Sequence, residues 1–141
     1  MSRYDATQSN ESTRSAKIYR DLDLDFAANS ATKDIQKLSD VEAVKRSVRN
    51  LILTNHYERP FHPEIGSNLR AMLFENMTPQ MTHLIGKQIE LLIANYEPRA
   101  RLVTVRTLPQ FDRNAYAVTI NFQVVNQPEP IVVETLLERL R

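Results

Sequence analysis

Hydrophobic spacing changes character several times along this chain. From Asp21 to Phe26 polar and apolar residues alternate strictly, which places Leu22, Leu24 and Phe26 on one face of an extended segment and three aspartates on the other. The alternation predicts a half-buried strand, and a charged outer face suits the margin of a sheet. Ser39-Asp40-Val41-Glu42 matches a capping box and sets a helix start. Val41, Val44, Val48, Leu51 and Ile52 then recur at spacings of three and four, while Lys45, Arg46 and Arg49 cover much of the remaining surface. This helix is expected to fade by Thr54 or Asn55. The stretch from His56 to Gly66 carries two prolines and predicts a rigid, irregular connector. Leu69, Met72 and Leu73 suggest a short helix, and Thr78-Pro79 supplies an N-cap with proline at the first helical position of a long one. Met81, Leu84, Ile85, Ile89, Leu91, Leu92 and Tyr96 make that helix apolar over much of its girth, so it is expected to be the most buried.

The segment Leu91 to Arg106 holds the sharpest transition. Pro98 locks its own φ and pushes Glu97 out of the α region, so Glu97 is the expected helix exit and Arg99 the first extended residue. A carboxylate and a guanidinium are thereby held at fixed separation, and function is sought around this corner. Beyond it, Tyr116, Val118, Ile120, Phe122 and Val124 alternate with polar or small residues and predict a strand, with Arg101 to Thr107 as its hairpin partner. Ile131-Val132-Val133 opens a last extended segment, although Val133, Leu136, Leu137 and Leu140 also fit helical spacing. The expected fold is α+β: a small antiparallel or mixed β-sheet packed against two long helices and one short helix, as one domain over residues 18–141. Residues 1–17 are polar and lack periodicity, so they are expected to form a flexible tail that stays disordered until bound.

Composition narrows the functional classes. A chain of 141 residues with 42% hydrophobic content suffices for one core. Its formal net charge of +1 supplies no global field for nucleic acid or anionic membrane. Absence of cysteine removes disulfides and thiolate chemistry, and fits an intracellular site of assembly. No segment approaches the roughly 20 apolar residues that span a bilayer, and the N-terminus has no apolar signal core. Two glycines, Gly66 and Gly86, cannot build a phosphate-cradling loop, so no nucleotide cofactor is expected.

Candidate chemistry is sparse. His56, Glu58, His62 and Glu64 cluster in sequence as metal ligands can, but a proline-rich loop using polar groups to satisfy its own backbone is the simpler reading, and no metal is expected. Met72, Met77 and Met81 are read as core filling. Arg46, Arg49, Arg59, Arg99, Arg101 and Arg106 are interleaved with acids and lack aromatic stacking partners, which argues against nucleic-acid binding. Glu97 could be nominated as a glycosidase acid, but Arg99 beside it favours the charged form, wrong for that role, and no second carboxylate is singled out. Glu97, Pro98 and Arg99 are therefore either a charged turn or an anchor for a partner chain.

Four motifs occur in order: Thr54-Asn55-His56-Tyr57-Glu58-Arg59-Pro60, Pro63-Glu64-Ile65-Gly66-Ser67-Asn68-Leu69, Leu73-Phe74-Glu75 and Tyr96-Glu97-Pro98-Arg99. Over about residues 20 to 137 the chain resembles the baseplate wedge and sheath-initiator family of contractile-tailed phages, which includes a T-even wedge subunit with a lysozyme-like label and relatives in type VI secretion baseplates. It departs where the family often has glycine in place of His56-Tyr57 and phenylalanine in place of Ile65.

The resemblance implies a structural, non-enzymatic α+β subunit of the virion's tail baseplate, assembled in the host cytoplasm. Six copies around the tail tube would contact other wedge proteins and the tail sheath protein. Sheath polymerisation would start by strand addition, and Leu22 to Phe26 and Ile131 to Val133 are the edge candidates. The resemblance also assigns contact with the wedge core to Glu97, Pro98 and Arg99, with Glu58 and Arg59 behind them. Its lysozyme-like label implies the alternative, a peptidoglycan-degrading enzyme of the tail.

Overall fold

The structure, a computed structural model, describes residues 19–125, 127 and 129–139. The tail expected over residues 1–17 lies outside these, as does Leu140. Strand β1 (Arg20–Leu22) pairs antiparallel with β2 (Lys37–Ser39), and helix α1 (Val41–Leu53) follows. The connector leads to the short α2 (Leu69–Met72) and to α3 (Pro79–Tyr96). A meander of β3 (Ala100–Gln110), β4 (Ala115–Val124) and β5 (Pro130–Glu138) completes the α+β fold, with β4 in the middle and both pairings antiparallel.

The core lies between one face of the meander and the helices. Tyr116, Val118, Ile120, Phe122 and Val124 all point inward from β4, none more than 3% exposed. Against them pack Val44, Val48 and Ile52 of α1 and Ile85, Ile89, Leu92 and Ile93 of α3. Burying each large apolar side chain stabilises the fold by about 1.5–3 kcal/mol before entropy is counted. The hairpin expected from the period-two pattern forms, with Leu102 opposite Phe122 and Thr107 opposite Val118. A 3₁₀ turn at Phe111–Arg113 closes it, and Asn114 takes the left-handed conformation with φ of 49°. At the start of α3, the Thr78 side chain accepts from the Met81 amide at 3.1 Å and proline occupies the first turn, as the sequence indicates.

Four expectations are corrected. The strand at Leu22 to Phe26 stops at Leu22 and belongs to a separate two-stranded sheet rather than to the main sheet's margin. Its faces are also reversed: Leu22, Leu24 and Phe26 are 57%, 56% and 70% exposed, while Asp21 and Asp23 turn toward arginines of the body. The capping box does not form, because Ser39 is in β2 and Asp40 at the cap accepts from the Tyr19 amide instead. Helix α3 is not the most buried, since Leu84 and Leu91 stand half exposed on its far side, whereas α1 buries five of its 13 residues. The last segment is a strand throughout its nine residues, as the extended reading of Ile131-Val132-Val133 has it, in spite of the helical spacing of Val133, Leu136 and Leu137.

Candidate functional site

Helix α3 exits at Glu97 as the sequence places it, but Pro98 and Arg99 form a turn closed by the Ala100 amide on Glu97 O at 3.0 Å, so the extended backbone starts at Ala100 and not at Arg99. Glu97 is the C-cap residue, and its amide donates to Ile93 O at 2.9 Å. Two residues later the Arg99 guanidinium returns to the same carboxylate in a fork, Nε to Oε1 at 2.6 Å and Nη2 to Oε2 at 2.9 Å. The Ser47 hydroxyl of α1 also donates to Glu97 Oε2. Arg99 extends the network to β1 through Asp21 at 3.3 Å and lies 5.6 Å over the Tyr19 ring. One charged cluster thus joins the α3–β3 corner, the middle of α1 and the β1–β2 hairpin.

Burial determines what this cluster can do. Glu97 is only 3% exposed, whereas Pro98 is exposed and Arg99 is intermediate. Burial alone would raise the Glu97 pKa, but hydrogen bonds from Arg99 and Ser47 and the charge of Arg99 outweigh it and leave the pKa below its ordinary value. The guanidinium's pKa is raised, chiefly by its bond to Glu97. Such a carboxylate stays ionised and cannot supply the proton that glycoside cleavage requires. The geometry is that of a clamp between elements.

A second clamp repeats the pattern. Arg46 of α1 meets Asp23 at 3.4 Å and Asp25 at 2.5 Å, and its bond to Asp25 holds that carboxyl below the usual range. The connector is cross-tied as well. Glu58 accepts from the Asn55 amide at 2.8 Å and from Asn55 Nδ2 at 2.7 Å, contacts that lower its pKa. Tyr96 donates to the Glu64 carbonyl at 2.8 Å. Gly66, with φ of 139°, lies against Asn55 so closely that a Cβ would come within 2.7 Å of its backbone. Glu58 and Arg59 themselves are exposed. His62 meets Glu64 at 3.2 Å, and among the described residues no group of three or more His, Asp or Glu is placed to hold a metal ion.

The remaining candidates divide by position. Leu22, Leu24 and Phe26 face solvent, whereas the Ile131 and Val133 side chains are 8% and 9% exposed and face the core. What β5 leaves open is its backbone margin: among the described residues neither β5 nor β3 has a strand on its outer side. Sequence reasoning missed Ser47, Asp21 and Asp23 as partners of the arginines. A serine within the apolar stripe of α1, between Val44 and Val48, was the available sign.

Residues 38–129 match the family of baseplate wedge protein gp25. The baseplate wedge protein gp25 of Enterobacteria phage T4 is 35% identical to this chain over 115 residues, which cover 82% of the chain and 86% of the phage protein. A Geobacter sulfurreducens protein provisionally named a tail lysozyme shares the fold at a TM-score of 0.67 and 20% identity, over 74% of this chain and 96% of that one. A chain of the six-fold symmetrised anti-feeding prophage baseplate does so at 0.61 and 23% identity, over 87% of each. These structural matches bear on the fold alone.

Proposed function

This chain belongs to the baseplate wedge protein gp25 family, and from that premise we propose that it joins the core of a contractile-tail baseplate wedge and starts tail-sheath polymerisation by strand addition. The observation that carries this reading is the three-stranded antiparallel meander with no strand partner on either outer side among the described residues. Backbone amides and carbonyls at such margins supply adhesion to an extended arm, and alternating side-chain positions supply register. The α3–β3 corner is the proposed contact with the wedge core. Exposed Pro98 and the open part of Arg99 would form the surface there, with buried Glu97 holding Arg99 in place and exposed Glu58 and Arg59 extending the contact. Six copies would surround the tail tube in the virion baseplate, after assembly in the host cytoplasm.

Reconstitution tests this. Wedges assembled with the chain should seed sheath polymerisation, and wedges lacking it should not. Arg59→Glu, at an exposed position outside the Glu97–Arg99 clamp, should reduce incorporation into the wedge while the chain remains folded. Sheath growth at equal rates with and without the chain would end the reading. A peptidoglycan-release assay addresses the lysozyme-like alternative, which lacks support from an ionised and buried Glu97; equal background release by the unaltered chain and by Glu97→Gln is the expected result.

A further inference from the structure

The β1–β2 hairpin is fastened to the body chiefly by charge, and we propose that residues 20–39 form a latched arm that opens about Asp40 and, in opening, frees Arg46 and Arg99. No residue from 20 to 39 is buried, and Leu22, Leu24 and Phe26 are each more than half exposed. Among the described residues no backbone hydrogen bond runs from residues 20–39 to the elements that follow Asp40. The hairpin satisfies its own backbone instead. Asp23 N donates to Gln36 O at 2.9 Å, Gln36 N to Ala27 O at 2.9 Å and Asn29 N to Asp34 O at 2.8 Å.

Three ion pairs hold the arm down. Asp21 meets Arg99 at 3.3 Å, while Asp23 and Asp25 meet Arg46 at 3.4 Å and 2.5 Å. Every partner keeps some solvent contact, so the pairs weaken as salt screens them. Packing adds little to closure, because a hollow lies on either side of the arm. One of about 350 Å³ separates Leu22 and Leu24 from Leu51, Ile65 and Tyr96, and one of about 290 Å³ separates Asp23, Asp25 and Leu38 from Val133 and Glu134.

The junction works against closure. Asp40 joins β2 to α1 at φ of 48° and ψ of −111°, backbone that glycine adopts freely and that a residue with a Cβ resists. Tyr19, which packs against the core at the base of the arm, holds it there: its amide donates to Asp40 Oδ1 at 3.2 Å and its carbonyl accepts from the Asp40 amide at 2.9 Å. Strained backbone of this kind persists only where surrounding contacts impose it. Loss of the ion pairs therefore lets Asp40 relax and the arm leave. Arg46 then gives up both of its acids, while Arg99 gives up Asp21 and keeps Glu97. Closed, the arm is an internal carboxylate ligand of the two arginines and shields them from carboxylates of other chains.

Pulsed electron spin resonance on the full chain tests the latch, which belongs to the chain alone and does not depend on the wedge reading. The absence of cysteine allows spin labels at chosen sites. Labels on Ala31→Cys in the arm and Val132→Cys on β5, both exposed positions, should give one distance in dilute buffer. Between about 0.05 M and 1 M salt a second, displaced distance should grow about tenfold in population. Asp21→Asn, Asp23→Asn and Asp25→Asn combined should produce that distance in dilute buffer. Asp40→Pro, whose φ of about −65° excludes the closed junction, should produce it at either salt. Hydrogen exchange at Val118 to Phe122 should stay unchanged throughout, as it does when the body remains folded. A single unaltered distance under all these conditions would make the arm an integral part of the body and overturn the latch. Displacement that appears only together with faster exchange at Val118 to Phe122 would reduce opening to global unfolding and overturn it as well.

Discussion

Glu97 gains its character from a serine 50 positions earlier and an arginine two positions later. In the folded chain its pKa is lowered from the ordinary 4.5, so folding favours the ionised form. The resulting stability is present above about pH 4.5 and is lost as pH falls through the lower folded value. Glu97→Ala should cost about 2–3 kcal/mol at pH 7, the low end for breaking a buried pair because Arg99 keeps some solvent contact and Asp21. Urea unfolding of both proteins at pH 7 and pH 3 would check this, and the difference should shrink in acid. At Gly66 the backbone conformation and the approach of Asn55 both exclude a side chain. Gly66→Ala should destabilise by more than about 1 kcal/mol, read as a lowered denaturation midpoint. The Glu97–Arg99 proximity was legible because proline imposes the corner. Ser47 was not, because nothing local links it to residue 97.

Elements with a strong period and clear end signals were legible in outline. The β4 alternation and the Thr78-Pro79 start of α3 read correctly because one face of each is buried and each signal is local. Thr78→Ala should remove the cap bond to Met81 and cost about 1 kcal/mol, measurable by thermal denaturation. Phe122→Ala should cost more, about 3–5 kcal/mol, because it opens a cavity in the middle of the sheet. At β1 the equally strict alternation misled. Apolar residues normally take the inner face, but Arg46 and Arg99 supply partners that make aspartate the inward residue. Helix α3 misled through girth: apolar residues surround it, yet the sheet and α1 cover only part of it, so Leu84 and Leu91 remain outside.

On the scale of the whole molecule, the buried apolar residues among those described begin at Ala43, so the β1–β2 hairpin contributes attachment rather than core. A chain lacking residues 1–39 should keep a cooperative urea transition and lose less than about 3 kcal/mol, since the clamps at Arg46 and Arg99 are ion pairs near the surface. A broad, non-cooperative transition would show that the hairpin is integral to the fold. The α+β class, the capped start of α3, the meander hairpin and the Glu97–Pro98–Arg99 corner were already present in the amino-acid order, because periodicity, proline geometry and a helix cap act within a few residues. The facing of β1, the inward turn of Glu97, the continuation of β5 past Val133 and the open margins of the sheet depended on groups far apart along the chain. Charge pairing and edge exposure are properties of the packed arrangement, and no local spacing encodes them.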